Sequence, residues 1–509
     1  MLLSPANVSV GHPVSIDSID FSKQLNMELV RLKAPTYKLH RIAQDQGGTT
    51  LSLSNSRTLS QFKIPSSALF NFHRSYITLD VSVPLGVNLS LHTFFTDCLP
   101  IDSVQLLAGS VPLAYLTNVQ PYTKVSQALA ISNDEYMSRG PVYGDTVIGA
   151  ARPISQITGC QPSNVTTANL ARGASNLYPS LPSNVYITDV IAGGDAACIP
   201  SLNAESNVSG SDIAGRASPQ RLVSSGLEAG GGQSVIQVRY RIPLKAFLGT
   251  ILAMDRDLYF GQELVLEIYW KPISNWGFDV GTIAGAASTE FRTTGAVSAT
   301  LTASNMYLFL AEDINSSNVS YYRNKVNNSG FDIIVPYTNC SQISTTASTS
   351  SFSMQTILRP RDGIALKRCI TIPLNVANTT KRTANNFNVG GVKFTQNQSL
   401  LDSKPLQNYY MVFANSDLWN YHYELIKNSP AGMSQRTFEE CCFMLDNFSD
   451  ADSSVHFYDN DCKESGLKVH EDIIYENRFG QSSTGGLVLV QYQTWCRMLS
   501  IRANSVEWK

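Results

Sequence analysis

Charge is scarce in this chain. Asp, Glu, Lys and Arg make up 15% of its 509 residues, against roughly 25% in an ordinary soluble domain; Ser, Thr and Asn fill the gap. The 38 basic and 40 acidic residues leave a net charge of −2. That balance excludes a protein that wraps nucleic acid over its whole surface, because neutralising a phosphate backbone needs clustered Lys and Arg. A surface with few charges relies little on repulsion to stay monomeric. Composition alone therefore fits either a chain that packs against its own copies or a Ser/Thr-rich secreted β-protein. Long apolar runs are missing too: none approaches the roughly 18–20 residues that span a bilayer as a helix. Met1 to Val10 lacks a basic stretch followed by an apolar one, so no signal peptide is expected. The N-x-S/T triplets at Asn88, Asn164 and Asn318 accordingly imply no glycan.

The signatures of reaction chemistry are also missing. The nine cysteines (Cys98, Cys160, Cys198, Cys340, Cys369, Cys441, Cys442, Cys462 and Cys496) are scattered and form no C-x-x-C pair, which argues against a zinc or thioredoxin-like site and for free thiols. No H-E-x-x-H, G-x-S-x-G or P-loop motif occurs. His12, His40, His73, His92, His422, His456 and His470 show no ligand spacing. His470-Glu471-Asp472, near Asp459, Asp461 and Glu464, reads as a solvated acidic loop. The carboxylates Asp446, Asp450, Asp452, Asp459 and Asp461 lack the pattern of a calcium loop. Cys441 or Cys442 has no local His partner and reads as a buried structural thiol. The expectation is no catalytic residue, no metal site, no cofactor and no small-molecule substrate. Trp270, Trp276, Tyr307, Phe309, Tyr409, Tyr410, Trp419 and Tyr421 could make a sugar platform, but aromatics on strands more often fill sandwich cores.

What is present is a long series of short β-like runs set off by turn residues. Leu59–Pro65 alternates. Arg74–Pro84 places Tyr76, Thr78, Asp80 and Ser82 on one face and Ile77, Leu79, Val81 and Val83 on the other, the pattern of a strand with one buried face. Ile101–Leu116 reads as two strands turning at Gly109-Ser110. From about Ser155 to Gly232 the chain is rich in Ser, Ala, Asn, Gly and Pro and reads as one long elaborated loop. Strand character returns at Ser234–Pro243, followed by a helical stretch over Leu244–Met254 and a strong strand over Leu264–Trp270. Gly277–Gly295 looks like a linker. Beyond it lie strand candidates at Ser304–Ala311, Gly330–Tyr337, Ser351–Leu358, Leu366–Pro373, Tyr409–Ala414, Gly486–Tyr492 and Met498–Ala503. Helical patches are expected over Asp417–Lys427 and Thr437–Leu445. Each half thus holds roughly eight strand candidates, which points to β-sandwiches; 509 residues exceed the roughly 250–300 over which one core grows.

Three segments carry a family resemblance. Phe62-Lys63-Ile64-Pro65 with Phe70–Ile77 looks like the opening strand pair of a jelly roll. Arg241-Ile242-Pro243-Leu244 through Asp255–Gly261 looks like the late helix-bearing turn that leads into that roll's last strands. Asn305–Leu310 resembles the strand that opens a second roll, continued by Gly330–Tyr337. On these motifs the chain resembles the double jelly-roll major capsid proteins of icosahedral double-stranded DNA viruses, nearest the virophage and polinton-like group. The resemblance implies an all-β fold of two consecutive eight-stranded jelly rolls with short helices and long loops. It would divide into an N-terminal arm over 1–45, a first roll over 46–290 with 155–232 as a surface loop insertion, and a second roll over 291–509. It implies a structural protein of the virion, not an enzyme: pseudo-hexagonal homotrimers, or capsomers, that tile an icosahedral shell and are assembled in the host cytoplasm or a viral factory. Implied partners are neighbouring capsomers, penton and minor capsid proteins. The genome or an internal membrane would be reached through the basic stretch Lys23, Arg31, Lys33, Lys38 and Arg41, whose plainer reading is a solvated arm. The alternatives are a carbohydrate-binding surface protein on β-sandwiches and a minor or vertex capsid protein, for which one roll would suffice.

Overall fold

Leu264–Trp270 (LVLEIYW) shows how the strands form. Leu264, Leu266, Ile268 and Trp270 are buried, while Val265, Glu267 and Tyr269 between them are half-buried, as the two-residue period of a strand with one core face requires. The computed structural model describes residues 34–45, 50–53, 56–83, 89–92, 101–130, 146–148, 222–224, 236–272, 277–279, 291–292, 301–345, 351–375, 381–382, 394–412, 417–426, 443–449, 466–481, 487–503 and 505–509.

The first half contributes β1 (Tyr37–Ala43), β2 (Thr58–Ile64), β3 (Phe70–Val83), β4 (Ile101–Ala108), β5 (Val111–Thr117), α1 (Val119–Ala130), β6 (Ile236–Pro243), β7 (Leu264–Trp270) and β8 (Leu301–Asp313). Helix α2 (Ser316–Asn328) follows. The second half contributes β9 (Phe331–Thr345), β10 (Ser351–Leu358), β11 (Ala365–Asn375), β12 (Phe394–Leu401), β13 (Met411–Val412), α3 (Asp417–Ile426), β14 (Met444–Asn447), β15 (Ile473–Gln481), β16 (Leu487–Arg502) and the terminal β17 (Ser505–Trp508). The main sheets run β1-β8-β3-β6 and β2-β7-β4-β5, then β9-β16-β11-β14 and β10-β15-β12-β13, each pairing antiparallel. Adding eight to every label of the first half gives the second half, and each half places a helix between its fifth and sixth strands. In both, the first strand pairs with the last, the winding of a jelly roll. Short strands extend this frame: Thr146–Ile148 on β6, Leu51–Leu53 on β8, Asp257–Leu258 on β3, and Leu222–Ser224 with Leu89–His92 and Gly277–Asp279 in a separate sheet.

The pairing corrects several expectations. Asn305–Leu310 does not open the second roll; it lies in β8, hydrogen-bonded between β1 and β3, and closes the first. Phe331 begins the strand that opens the second. Phe62–Pro65 and Phe70–Ile77 are not a strand pair, because β2 pairs with β7 and β3 with β6 and β8. The arm expected over 1–45 includes a sheet strand from Tyr37 onward. Leu244–Met254 is not a continuous helix but two 3₁₀ turns, Leu244–Ala246 and Ile251–Ala253, split at Gly249, whose φ of +69° no helix accommodates. Met444 and Leu445, expected at the end of a helix, are on β14. Gly277–Gly295 carries the short strands Gly277–Asp279 and Phe291–Arg292. Apart from Leu222–Ser224, the long loop of 155–232 lies outside the described residues, as do Lys23, Arg31 and Lys33.

One apolar core runs through both rolls, from Phe62, Ile77 and Leu308 to Ile370, Tyr492 and Ile501. A smaller cluster around Trp495, Leu366 and Tyr475 lies within the second.

Candidate functional site

For a protein with no reaction motif, the places to examine are the walls of the two rolls and the seam between them. Helix α1 and the turn after Phe247 lie against the outward face of the β9-β16-β11-β14 sheet. The Tyr122 hydroxyl donates to the Leu248 carbonyl at 2.8 Å and lies 3.5 Å from Thr338 Oγ1. Thr338 Oγ1 donates to the Gly249 carbonyl at 2.8 Å and is 3.2 Å from Thr494 Oγ1. Tyr492 stacks on Tyr122 with ring centroids 4.9 Å apart and donates its hydroxyl to the Asn118 carbonyl at 2.7 Å. At the far end of the seam, Trp508 Nε1 donates to the Pro112 carbonyl at 2.9 Å. All four side chains that carry the centre of this seam, Tyr122, Thr338, Tyr492 and Thr494, are buried, and burial removes the water that would otherwise compete for these bonds. The rolls are therefore joined by a dry, polar-stitched interface, not merely by the connecting helix.

The equivalent outward face of the β1-β8-β3-β6 sheet has a different character. Its inward residues Ile77, Leu308 and Ile242 are fully buried. Its outward residues form a ladder across the four strands. Arg41 lies over the Tyr307 ring at 4.6 Å, Tyr307 is edge-on to Phe309 at 6.3 Å, Phe309 stacks on Tyr76 at 5.0 Å and 17°, and Arg241 lies over Tyr76 at 4.9 Å. Arg41 is exposed and the other four are half-buried.

Inside the second roll the sandwich is unusually polar. Asp446 on β14 is 1% exposed and accepts hydrogen bonds from Ser399 Oγ at 2.6 Å, Tyr421 OH at 3.2 Å, Gln407 Nε2 at 3.5 Å and the Tyr475 hydroxyl. Asn477, Gln491 and Thr371 continue the network between the sheets. Burial raises the Asp446 carboxyl above the usual carboxylate range, and the surrounding hydroxyl donors partly counter it. Beside it, His422 on α3 is fully buried. Its Nδ1 lies 2.5 Å from the Leu418 carbonyl and its Nε2 accepts the Leu445 backbone N–H at 2.8 Å, which assigns the proton to Nδ1. Burial pulls this imidazole down to about 4, partly offset by the Leu418 carbonyl. Tyr421 and His422 thus pin α3 to β14.

The other singled-out residues are dispersed. His470, Glu471 and Asp472 are exposed before β15; Cys441, Cys442, Asp450, Asp452, Asp459, Asp461 and Glu464 lie outside the described residues. No group of three or more His, Cys, Asp or Glu side chains that could hold a metal occurs among the described residues. Cys340 and Cys369 are unpaired thiols pushed up by burial, the opposite of an activated nucleophile. The aromatic set splits: Trp270 is buried and donates to Ser60 Oγ at 2.8 Å, Tyr307 and Phe309 stand on the first sheet's outer face, and Tyr409 and Tyr410 are exposed before β13. Lys38 and Arg41 are on β1. The sequence did not point to Tyr122, Gly249, Thr338 or Tyr492, because their partners are 89 to 374 residues away.

Two rolls with the same winding, fused through a buried seam, make a double jelly roll, the fold of the double jelly-roll major capsid proteins. Among solved structures the chain is similar to PBCV-1 VP54, fitted into a cryo-EM reconstruction of the virophage Sputnik, with 9% identity, 94% of this chain and 97% of that chain covered, and a TM-score of 0.50. The Faustovirus major capsid protein (10% identity, 92% and 91% covered, TM-score 0.49) and the mavirus major capsid protein (8% identity, 100% and 93% covered, TM-score 0.45) also align. At 9% identity the likeness to PBCV-1 VP54 speaks for the fold alone. No family model matches the chain, and no curated protein does.

Proposed function

We propose that this chain is a major capsid protein and not an enzyme: a structural subunit whose homotrimers form pseudo-hexagonal capsomers tiling an icosahedral virion shell. The observation that carries this reading is the element-by-element repeat of two rolls joined by a buried seam. Two similar lobes per chain make six per trimer, which approximates six-fold shape with three-fold symmetry. On this reading the rolls divide between β8 and β9, within 314–330, and 155–232 is an elaboration of the first roll at the particle surface. Penton and minor capsid proteins border the capsomers. Lys38 and Arg41 belong to the wall, so contact with genome or an internal membrane falls to the more N-terminal Lys23, Arg31 and Lys33. The place of assembly is the host cytoplasm or a viral factory.

Light scattering coupled to size exclusion tests the reading. The expected result is a species of three times the 55.7 kDa chain mass, with six-lobed particles by electron microscopy. A monomer that persists at micromolar concentration overturns it.

A further inference from the structure

Among the described residues, β14 is the last strand of its sheet: it pairs with β11 on one side. The other side of such a strand presents main-chain groups with no sheet partner, and folded proteins cover them. Here the cover is helix α3. Leu418 and His422, four residues apart, are buried while Tyr423 is 47% exposed, so one stripe of the helix is turned to the strand. The Leu445 N–H on the free edge of β14 donates to His422 Nε2 at 2.8 Å, and His422 Nδ1 is held by the Leu418 carbonyl of its own helix. Phe443 packs edge-on against the imidazole with ring centroids 5.8 Å apart.

A neutral imidazole accepts a hydrogen bond at Nε2; a protonated one donates from both nitrogens. An Nε2–H at this position would point at the Leu445 N–H, donor against donor, and the Leu418 carbonyl and Phe443 ring oppose a turn of the ring. The Asp446 network beside it is filled by donors fixed in one direction. Asn477 Nδ2 donates to Ser399 Oγ at 2.7 Å and to the Tyr475 hydroxyl at 3.0 Å, and both hydroxyls donate onward to Asp446. Among the described side chains, the titratable groups of the surrounding elements are Asp417, Tyr421 and Tyr423 on α3, Asp446 on β14, Tyr475 on β15, and Lys367, Arg368 and Cys369 on β11. Asp417 accepts the Val412 N–H at 3.0 Å. Arg368, in register with Thr494 and Asn447, takes the seam face of the sheet.

We infer that α3 is an acid-released cover of the β14 edge: protonation of His422 at Nε2 breaks its bond to the Leu445 N–H, the helix lifts from the strand, and Leu418, Met444 and Leu445 open to water while the rest of both rolls stays folded. The proton comes from solvent, and no other bond changes. With the cover closed, burial holds the imidazole at about 4, against an ordinary 6.5, so opening gains ground as the pH falls below 6.5. Asp446, raised by burial, titrates with the opposite sign and subtracts from that gain. The inference stands independently of the capsid reading and gives the fold a local response to acidification.

Hydrogen exchange of the full chain, followed by mass spectrometry from pH 7 to pH 4.5 and corrected for the chemical pH dependence of exchange, tests it. Residues 417–426 and 443–449 are expected to exchange about tenfold faster or more at the acid end, with β2 and β7 unchanged. His422→Gln, whose amide oxygen accepts the Leu445 N–H at every pH, is expected to abolish that rise. Acceleration shared equally by all strands, no acceleration, or a rise that persists in His422→Gln overturns the inference. Tyr421→Phe provides a second arm should His422→Gln fail to fold. It removes the helix's bond to Asp446 at 3.2 Å and keeps the imidazole, so exchange is expected to be faster at every pH with the acid rise retained. Loss of the rise in Tyr421→Phe assigns the sensing to Asp446 and overturns the role of His422.

Discussion

At the residue scale, stability is concentrated where a single group serves both rolls. Gly249 has φ +69°, and a Cβ there would stand 2.5 Å from the Tyr122 hydroxyl and 2.7 Å from Thr338 Oγ1. Gly109, at φ +60°, has nothing within 4 Å of the same position. Gly109→Ala is therefore expected to cost about 1–2 kcal/mol from backbone strain alone, whereas Gly249→Ala adds the displacement of two buried hydroxyls and is expected to cost about 2 kcal/mol more. Chemical denaturation of the two variants side by side measures the difference, and equal losses would refute a close-packed seam. His422 gives the fold a pH dependence. Its folded pKa of about 4 lies below the ordinary 6.5, so its contribution is present above pH 6.5 and lost as the pH falls from 6.5 toward 4. A shift of this size in a fully buried group corresponds to about 3 kcal/mol. The raised Asp446 works with the opposite sign: its contribution is present below the ordinary carboxylate pKa and is lost as the pH rises through its raised folded pKa. His422→Gln is expected to flatten the loss of denaturation midpoint between pH 6.5 and 4.5; an unaltered slope would assign the acid sensitivity to other groups.

At the scale of elements, the junction between β8 and α2 is organised by one carboxylate. Asp313 is fully buried and accepts the Thr36 N–H at 2.9 Å, the Asn315 N–H at 3.0 Å and Asn318 Nδ2 at 2.7 Å. It thereby holds the segment entering β1, the end of β8 and the first turn of α2, where Asn315 caps by accepting the Ser317 N–H at 3.2 Å. Asp313→Ala removes the acceptor shared by the buried Asn318 amide and the part-buried Thr36 and Asn315 N–H groups and is expected to lower stability by about 1–3 kcal/mol, with faster hydrogen exchange confined first to β1 and α2. Uniform acceleration across both rolls would show that the junction is not a local unit. Strands were legible wherever alternation was strict: Ser351–Leu358 and Leu264–Trp270 are strands over those residues, and Gly109-Ser110 is the turn between β4 and β5. Helix α3 was legible from its apolar spacing over Asp417–Ile426. Helices α1 and α2 were not. α1 carries Pro121 in its first turn, and α2 (SSNVSYYRNKVNN) is mostly polar, so both owe their helicity to tertiary burial of a few side chains such as Tyr122, Tyr322 and Val326.

At the scale of the whole molecule, the seam predicts interdependence of the rolls. The face of the second roll that meets the first carries Tyr492, Val490, Ile370 and Ile372, each 1% exposed or less. Expressed alone, residues 331–509 would present that face to water, and the fragment is expected to bind a hydrophobic dye or self-associate. A monomeric, dye-silent fragment would show the rolls to be independent. The sequence by itself determined that this is an all-β chain of two sandwiches, because strand alternation, turn residues and helix-poor composition are local properties written in neighbouring residues. It did not determine which strand belongs to which roll. Leu301–Asp313 reads the same whether it opens one sandwich or closes another, and only its hydrogen bonds to β1 and β3, more than 200 residues away, assign it. The same holds for the seam and for the Arg41–Tyr307–Phe309–Tyr76–Arg241 ladder. Period-two alternation states that a side chain faces one way or the other, while what it faces depends on long-range pairing that no local pattern encodes.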